Sequence, residues 1–246
     1  MLNSSRFPFP GVSLANREQF ENFRAAHSNL LDYRYSYECG LASAEAVVER
    51  GLCPITLNQT HFSSQLDGGQ PAGQGRIVPD WRNQQVCDNG VDMPDRAVVH
   101  FALYNSPESR LGRVLLISNS AAVEALLGPF STSVDYREFD QIRERALYDT
   151  IFVVNKLEQG VPLYERLSRL YDALAPDGKI YFHHNFHYNS DVSVMREFDG
   201  MAFWSIGWDF NEKLLGAGFK NAHAVTFWAP ELGYLGAANI LFEAKK

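Results

Sequence analysis

From residue 112 onward, short apolar runs alternate with amphipathic stretches. "RVLLIS" is the continuous apolar run that a strand buried on both faces requires, and "AAVEALLG" after it has helical spacing closed by a glycine. "STSVDY", "DTIFVVN" and "KIYFHHNF" read as further strands, and "VPLYERLSRLYDALAPDG" and "WDFNEKLLGAGF" as helices. "NAHAVTFWA" and "AANILFEAK" close the chain as two strands, so the order is that of a parallel α/β sheet. The first hundred residues have another rhythm. "SLANREQFENFRAAHSNLLDYRYSYE" carries Phe20, Phe23, Leu30 and Leu31 at loosely helical spacing, and "LASAEAVVERGL" predicts a second short helix ending at Gly51. A third helix is expected in "MPDRAVVHFALY", where Pro94 suits the first turn and Asp95 the positive end of the dipole. Between them, "LDGGQPAGQGRIVP" is rich in Gly, Gln and Pro and predicts a loop able to cover a site. The expected organisation is a mostly helical, irregular N-terminal extension over residues 1–105 and an α/β domain over 106–246.

Composition narrows the partners. With 246 residues, 46% of them hydrophobic, the chain can bury one substantial core. A net charge of -7 gives no broad electrostatic reason to bind nucleic acid or an anionic membrane, so a small-molecule substrate is expected. No run of eighteen apolar residues occurs, and "MLNSSRFPFPGVSLANREQF" has no cationic stretch leading into an apolar one, which predicts a cytoplasmic protein. Cys39, Cys53 and Cys87 form no C-x-x-C pair, so free thiols are expected rather than a disulfide framework or a four-thiolate zinc site.

The run "LYDALAPDGKIYF" and the close "GWDFNEKLLGAGFKNAHAVTFWAPELGYLGAANILFEAKK" resemble the class I methyltransferases that use S-adenosylmethionine. The resemblance extends, through "PDWRNQQVCDNGVDMPDRAVVH", to a bacterial subgroup with a cysteine-bearing N-terminal segment. It implies a Rossmann-like class I methyltransferase fold behind the N-terminal extension. Where the relatives have paired cysteines, Cys39 is followed by Ala42 and Cys87 by Gly90, so a metal ribbon is expected to have decayed and no metal ligand is assigned.

In the family, glycines after the first strand let the backbone approach S-adenosylmethionine, and an acid ending the second strand takes its ribose hydroxyls. Here the bend is Ser118-Asn119-Ser120, which can donate hydrogen bonds but adds bulk. Asp135 is the ribose candidate, or else a surface carboxylate in a turn. Residues 137–148 are short for a third strand bearing an adenine contact, with Asp140 the acid available there. In "VVNKLEQG", Asn155 and Glu158 occupy the polar positions beside the reactive centre, and Gln159 stands where relatives have histidine, replacing a base with an amide.

"YFHHNFHYNSD" places His183, His184 and His187 at the ligand-binding edge of a central strand, with alternation sending His183 and His184 to opposite faces. They read as a general base, as donors to a substrate oxyanion, as metal ligands with Asp191 or Glu197, or as one core histidine with a polar rim. Arg196 matches an arginine of the relatives and offers a two-bond grip on an anionic group, or pairs on the surface with Glu197. Trp204 and Tyr234 are the expected pocket wall.

Three functions fit these residues. The first is a divergent transferase moving a methyl group from S-adenosylmethionine to a small biosynthetic metabolite or sugar. The second is a repurposed enzyme on the same scaffold, catalysing cyclisation, elimination or hydrolysis, perhaps with a histidine-bound metal. The third is a non-catalytic partner protein.

Overall fold

In the computed structural model the described residues are 7–41, 46–65, 70–72, 76–78, 81, 85–106, 108, 110–118, 120–157, 162–184, 186–198 and 201–246. The N-terminal elements are β1 (Gly11–Leu14), α1 (Arg17–Ala26), α2 (Ser28–Leu41), β2 (Ala46–Leu52), β3 (Gln59–Gln65), β4 (Gln70–Ala72), β5 (Arg76–Val78), β6 (Val86–Cys87) and α3 (Met93–Tyr104). There follow β7 (Gly112–Ile117), α4 (Ala121–Leu127), β8 (Ser131–Tyr136), β9 (Tyr148–Val154), α5 (Leu163–Ala173) and β10 (Leu174–His183). The last are β11 (Val194–Phe198), β12 (Met201–Ser205), α6 (Phe210–Gly216), β13 (Asn221–Ala229) and β14 (Tyr234–Lys245).

Strand β7 shows why the apolar runs become central strands. Val114 and Leu116 pack into one core cluster and Leu115 and Ile117 into another, so both faces of the sheet are covered. Helices α3 and α4 lie over the first face. The second is covered by α5 and α6 and by Phe20 of α1. In α5, Leu163, Leu167 and Leu170 recur along one buried stripe, as helical periodicity requires.

The main sheet runs β1-β13-β14-β10-β9-β7-β8, making the fold a Rossmann-like α/β sandwich with a mostly parallel central sheet. Strands β8, β7, β9 and β10 are parallel, while β14 enters antiparallel between β10 and β13. After β7 the chain goes to β8 on one side and then to β9 on the other. That reversal opens a crevice at the carboxyl ends of β7 and β9, where sheets of this type bind ligands.

Two expectations change. The helix expected in "LASAEAVVERGL" is a strand over 46–52: β2 pairs with β3 from Ala46↔Gln65 to Leu52↔Gln59, and β3 pairs in turn with β6, while residues 42–45 lie outside the described residues. Gly51 closes no helix; a Cβ there would lie 2.4 Å from the Glu231 carbonyl oxygen, so the glycine permits close approach of two backbones. The boundary expected at residue 105 also divides no layers, because α3 covers the main sheet and β1 joins it. Within the expected loop, β4 and β5 pair as a short ribbon, and residues 66–69, 73–75 and 79 lie outside the described residues.

Helix α3 is buried from Met93 to Leu103, and among those residues is Arg96, which is 0% exposed. Its guanidinium donates to the carbonyls of Gln85 (3.0 Å), Val91 (3.1 Å) and Gly233 (2.8 Å) and lies 4.5 Å from the Phe62 ring centroid. One side chain thus joins the β2-β3-β6 sheet, α3 and the β13–β14 turn. Replacing it with leucine leaves three buried carbonyls short of a donor, at about 1–3 kcal/mol each when water does not reach them. Arg96→Leu is expected to lower unfolding stability in urea by about 3 kcal/mol or more, whereas the exposed Arg113→Leu changes it by less than about 0.5 kcal/mol.

Candidate active site

The chain leaves β7 at Ser118, which is 1% exposed. Its hydroxyl reaches Asp95 Oδ1 at 2.8 Å and Oδ2 at 3.0 Å, and accepts from the Ser120 backbone N–H at 3.1 Å. The Tyr136 hydroxyl, at the end of β8, donates to the Ser118 carbonyl at 2.6 Å. Asp95 comes from the first turn of α3, where the Asp92 side chain caps its N–H at 3.0 Å. Burial pushes the Asp95 carboxyl well above the ordinary carboxylate range, and the neighbouring Asp92 charge pushes it further.

On the other side of the switch point, Asn155 ends β9 with φ at 53°, the left-handed region that asparagine tolerates. Its backbone N–H donates to the His183 carbonyl at 2.8 Å, and its side-chain oxygen stands 3.4 Å from His183 Nδ1. Ser118, Asn155 and His183 therefore end three adjacent parallel strands, with Asp95 behind the first. Such a row can hold a polar substrate and move one proton at the imidazole.

Alternation separates the histidines. His183 is 4% exposed and reaches Asn155, whereas His184 is 3% exposed among the aromatic rings of the opposite face. The His184 ring stacks on Phe242 at 5.2 Å and meets Phe210 edge-on at 5.0 Å, so it belongs to the core. His187 is exposed beyond the strand, and its backbone N–H bonds to Ile206. The three do not converge, and Asp191 pairs with Arg17 at 2.8 Å. Among the described residues no group of three or more His, Cys, Asp or Glu side chains could hold a metal ion.

Asp135 is level with Leu115 of β7, three residues before Ser118, and its Oδ2 accepts from the Tyr148 hydroxyl at 3.0 Å. The carboxylate is half-buried, and its further lone pairs remain available to a ligand. Ser120 is half-buried at the start of α4. Asn119, Glu158 and Gln159 lie outside the described residues. Between β8 and β9 the chain makes only a 3-10 turn at Phe139–Gln141, with Asp140 exposed, so no third strand extends this edge.

The expected substrate contacts lie elsewhere. Tyr234 is 0% exposed; its hydroxyl lies 3.2 Å from His100 Nδ1 and 3.3 Å from the Arg96 carbonyl, which makes it part of the core under α3 rather than a pocket wall. Arg196 is exposed on the β11–β12 hairpin, opposite Phe203, and Trp204 sits half-buried on the same hairpin opposite Met195. Sequence reasoning missed Asp95, Tyr136 and Tyr148. Asp95 had one visible signal, an acid in a helix first turn, and that signal concerns the helix alone.

No protein-family model matches the chain, and no curated protein matches it. Among solved structures it is similar to an S-adenosylmethionine dependent methyltransferase from Mesorhizobium loti, at 14% identity and TM-score 0.42, over 63% of this chain and 100% of that one. A putative S-adenosylmethionine dependent methyltransferase from Listeria monocytogenes matches at 15% identity and TM-score 0.42, over 62% and 97%. The 1,6-didemethyltoxoflavin-N1-methyltransferase of Burkholderia thailandensis, solved with 1,6-didemethyltoxoflavin and S-adenosylhomocysteine, matches at 13% identity and TM-score 0.39, over 62% and 78%. The fold assignment rests on the strand order given above. Among the described residues, no helix is long and apolar enough to cross a membrane.

The upward shift of the Asp95 carboxyl pKa gives its contribution to stability a definite sign. Above the unfolded carboxyl value of about 4, the folded state holds a proton that the unfolded state has released, so stability falls as pH rises toward the folded value. Asp95→Asn removes this contribution and keeps an acceptor for Ser118. Urea unfolding between pH 4 and pH 8, about the range in which carboxyls shifted upward titrate, is expected to show wild type losing stability relative to the variant with rising pH. A constant difference would place no shifted proton at Asp95.

Proposed function

We propose that the chain is a divergent S-adenosylmethionine-dependent methyltransferase-like enzyme acting on a small neutral metabolite or sugar. The observation that supports this most is the row of Ser118, Asn155 and His183 across the carboxyl ends of β7, β9 and β10, at the switch point. Asn155 and His183 stand at the one edge where such sheets bind ligands, beside a Ser118 whose hydroxyl is bonded to Asp95.

The residues that would hold the donor are Ser120 and Asn155, by hydrogen bonds, and Asp135, through the lone pairs Tyr148 does not occupy. When bound, S-adenosylmethionine supplies an electrophilic methyl group. The chain's own part is to position an acceptor atom near it and exclude water, and proximity provides most of the rate. The His183 imidazole, oriented by Asn155 through Nδ1, is the group assigned to take the acceptor's proton. The chain's acidic charge and the exposed position of Arg196 favour a substrate without phosphate or carboxylate groups.

A second reading, a non-methylating enzyme on the same scaffold, draws on the bonds already made by Ser118. Its hydroxyl is committed to Asp95 and its carbonyl to Tyr136, which leaves little of that residue for a nucleoside.

Calorimetric titration separates the two. Micromolar binding of S-adenosylmethionine and of its demethylated product is expected, with Asp135→Asn weakening both by about tenfold, the worth of one charged hydrogen bond. His183→Ala is expected to lower kcat and leave donor affinity unchanged. Failure of the wild-type protein to bind either nucleoside would transfer the assignment to the second reading.

A further inference from the structure

Helix α5 carries a charge on its buried stripe. Arg166 stands between Leu163 and Leu167 on that stripe and is 8% exposed. An apolar residue would continue the stripe, so the guanidinium is buried at a cost that its bonds must offset. Nη1 donates to the Lys156 carbonyl at 2.8 Å and to the Leu157 carbonyl at 3.0 Å, giving one of its two hydrogens to each. The guanidinium carbon lies 4.6 Å from the Phe139 ring centroid, while the buried Nε has no hydrogen-bond partner. The grip is therefore on two successive carbonyls of the loop that follows β9.

That loop begins at Asn155. Its backbone turns at a φ of 53°, a conformation that asparagine visits as a single residue, and the chain is held on both sides of it. On one side the Asn155 N–H donates to the His183 carbonyl at 2.8 Å. On the other, Arg166 takes the next two carbonyls, and Lys156 Nζ reaches Glu138 Oε1 at 3.2 Å. The Asn155 side chain has little margin. Its oxygen stands 3.4 Å from His183 Nδ1, near the limit at which such a contact still counts as a hydrogen bond, so a displacement of about half an ångström decides whether the bond exists. The oxygen has no hydrogen to give, so the bond requires one on Nδ1. In a neutral ring this makes Nε2 the basic nitrogen.

We propose that Arg166 is a positioning residue for the switch-point histidine: by holding the Lys156 and Leu157 carbonyls it fixes Asn155, and Asn155 keeps the hydrogen of the neutral His183 ring on Nδ1. This rests on the reading of His183 as the group that takes a proton, and it applies to either reaction considered above. Arg166 acts through the backbone of the loop. A lysine ammonium has three hydrogens on one nitrogen and can serve both carbonyls, whereas methionine fills similar space and serves neither.

The tautomer can be read in the full chain by long-range proton–nitrogen correlation NMR of the imidazole rings, at alkaline pH where histidine is neutral. The His183 signals, among those of seven histidines, are assigned by their absence from His183→Gln. Wild type is expected to carry the His183 hydrogen on Nδ1. Arg166→Met is expected to lose that preference and to exchange the Asn155 amide about tenfold faster, the effect of one lost hydrogen bond on local opening. Arg166→Lys is expected to restore both. Asn155→Gly keeps the turn and removes the acceptor; it is expected to lose the Nδ1 form as well, and adding Arg166→Met to it to change the tautomer no further. His61, exposed and paired with Asp88, is the reference ring whose signals stay unchanged. A general loss of stability lowers the folded fraction without moving a hydrogen between ring nitrogens, so the tautomer separates positioning from packing. Neither donor nor acceptor is present in these samples: a protein that fails to bind S-adenosylmethionine still gives the reading, and a wrong tautomer leaves the donor titration untouched. If Arg166→Met does not fold, Arg166→Gln, whose amide ends short of Nη1, takes its place with the same expectation. A wild-type ring with its hydrogen on Nε2 would overturn the proposal whatever the variants do, as would a folded Arg166→Met or Arg166→Gln protein that keeps the hydrogen on Nδ1.

Discussion

The buried guanidinium of Arg96 is the constraint around which the rest is arranged. Burying a charge is costly unless its hydrogen bonds are largely made, and here both Nη groups are bonded while Nε has no hydrogen-bond partner among the described residues. Its donors reach Gln85 before β6, Val91 before α3 and Gly233 in the β13–β14 turn, and the faces of Phe62 and Tyr234 enclose it. The turn around β6 just before α3 and the distant β13–β14 turn are thereby fixed to one point of α3. Successive residues on a helix project about 100° apart, so fixing Arg96 toward the small sheet turns its neighbour Asp95 toward the end of β7. The acid behind Ser118 and the guanidinium that ties down the small sheet are two sides of the same turn of helix.

What could be read from the sequence follows from which forces are local. The strands β7, β9 and β10 and the helices α3, α5 and α6 were legible because their apolar spacing matches their period, and burial on both faces reinforces it. The segment that became β2 was not, since "LASAEAVVERGL" has helical spacing of its own and becomes a strand only through seven pairings with β3. The β11–β12 hairpin, for which the sequence reading assigned neither helix nor strand, is likewise made by its own cross-strand pairing from Val194↔Ser205 to Phe198↔Met201. At the site, Ser118, Asn155 and His183 could be found because strand ends are visible in sequence. Asp95 could not be tied to Ser118, twenty-three residues away, nor Tyr148 to Asp135, without the packing that joins them.

Tyr234 shows the opposite error. Its position among many aromatics suggested a pocket wall, yet a large ring with one polar atom is equally suited to a core that offers a partner. His100 and the Arg96 carbonyl provide that partner. The distinction depends on whether a hydroxyl finds its bond inside, which composition does not reveal.

The bend that opens the site is free of glycine, and the structure gives that fact a physical reading. A glycine at position 118 would leave the Asp95 carboxyl, 1% exposed, without the hydroxyl that bonds both its oxygens. A buried acid lacking a partner is costly, and the serine removes that cost. The serine and the acid therefore form one matched pair rather than a loop that has drifted beside an unrelated helix. Its consequence reaches the ligand: any molecule at the switch point meets a bend whose side chain is held back by Asp95 and whose carbonyl is held by Tyr136. Recognition is left to the half-buried groups around it, namely Ser120, Asp135 and Asn155. Specificity at this edge is then set by the neighbours of the bend rather than by close approach of its backbone.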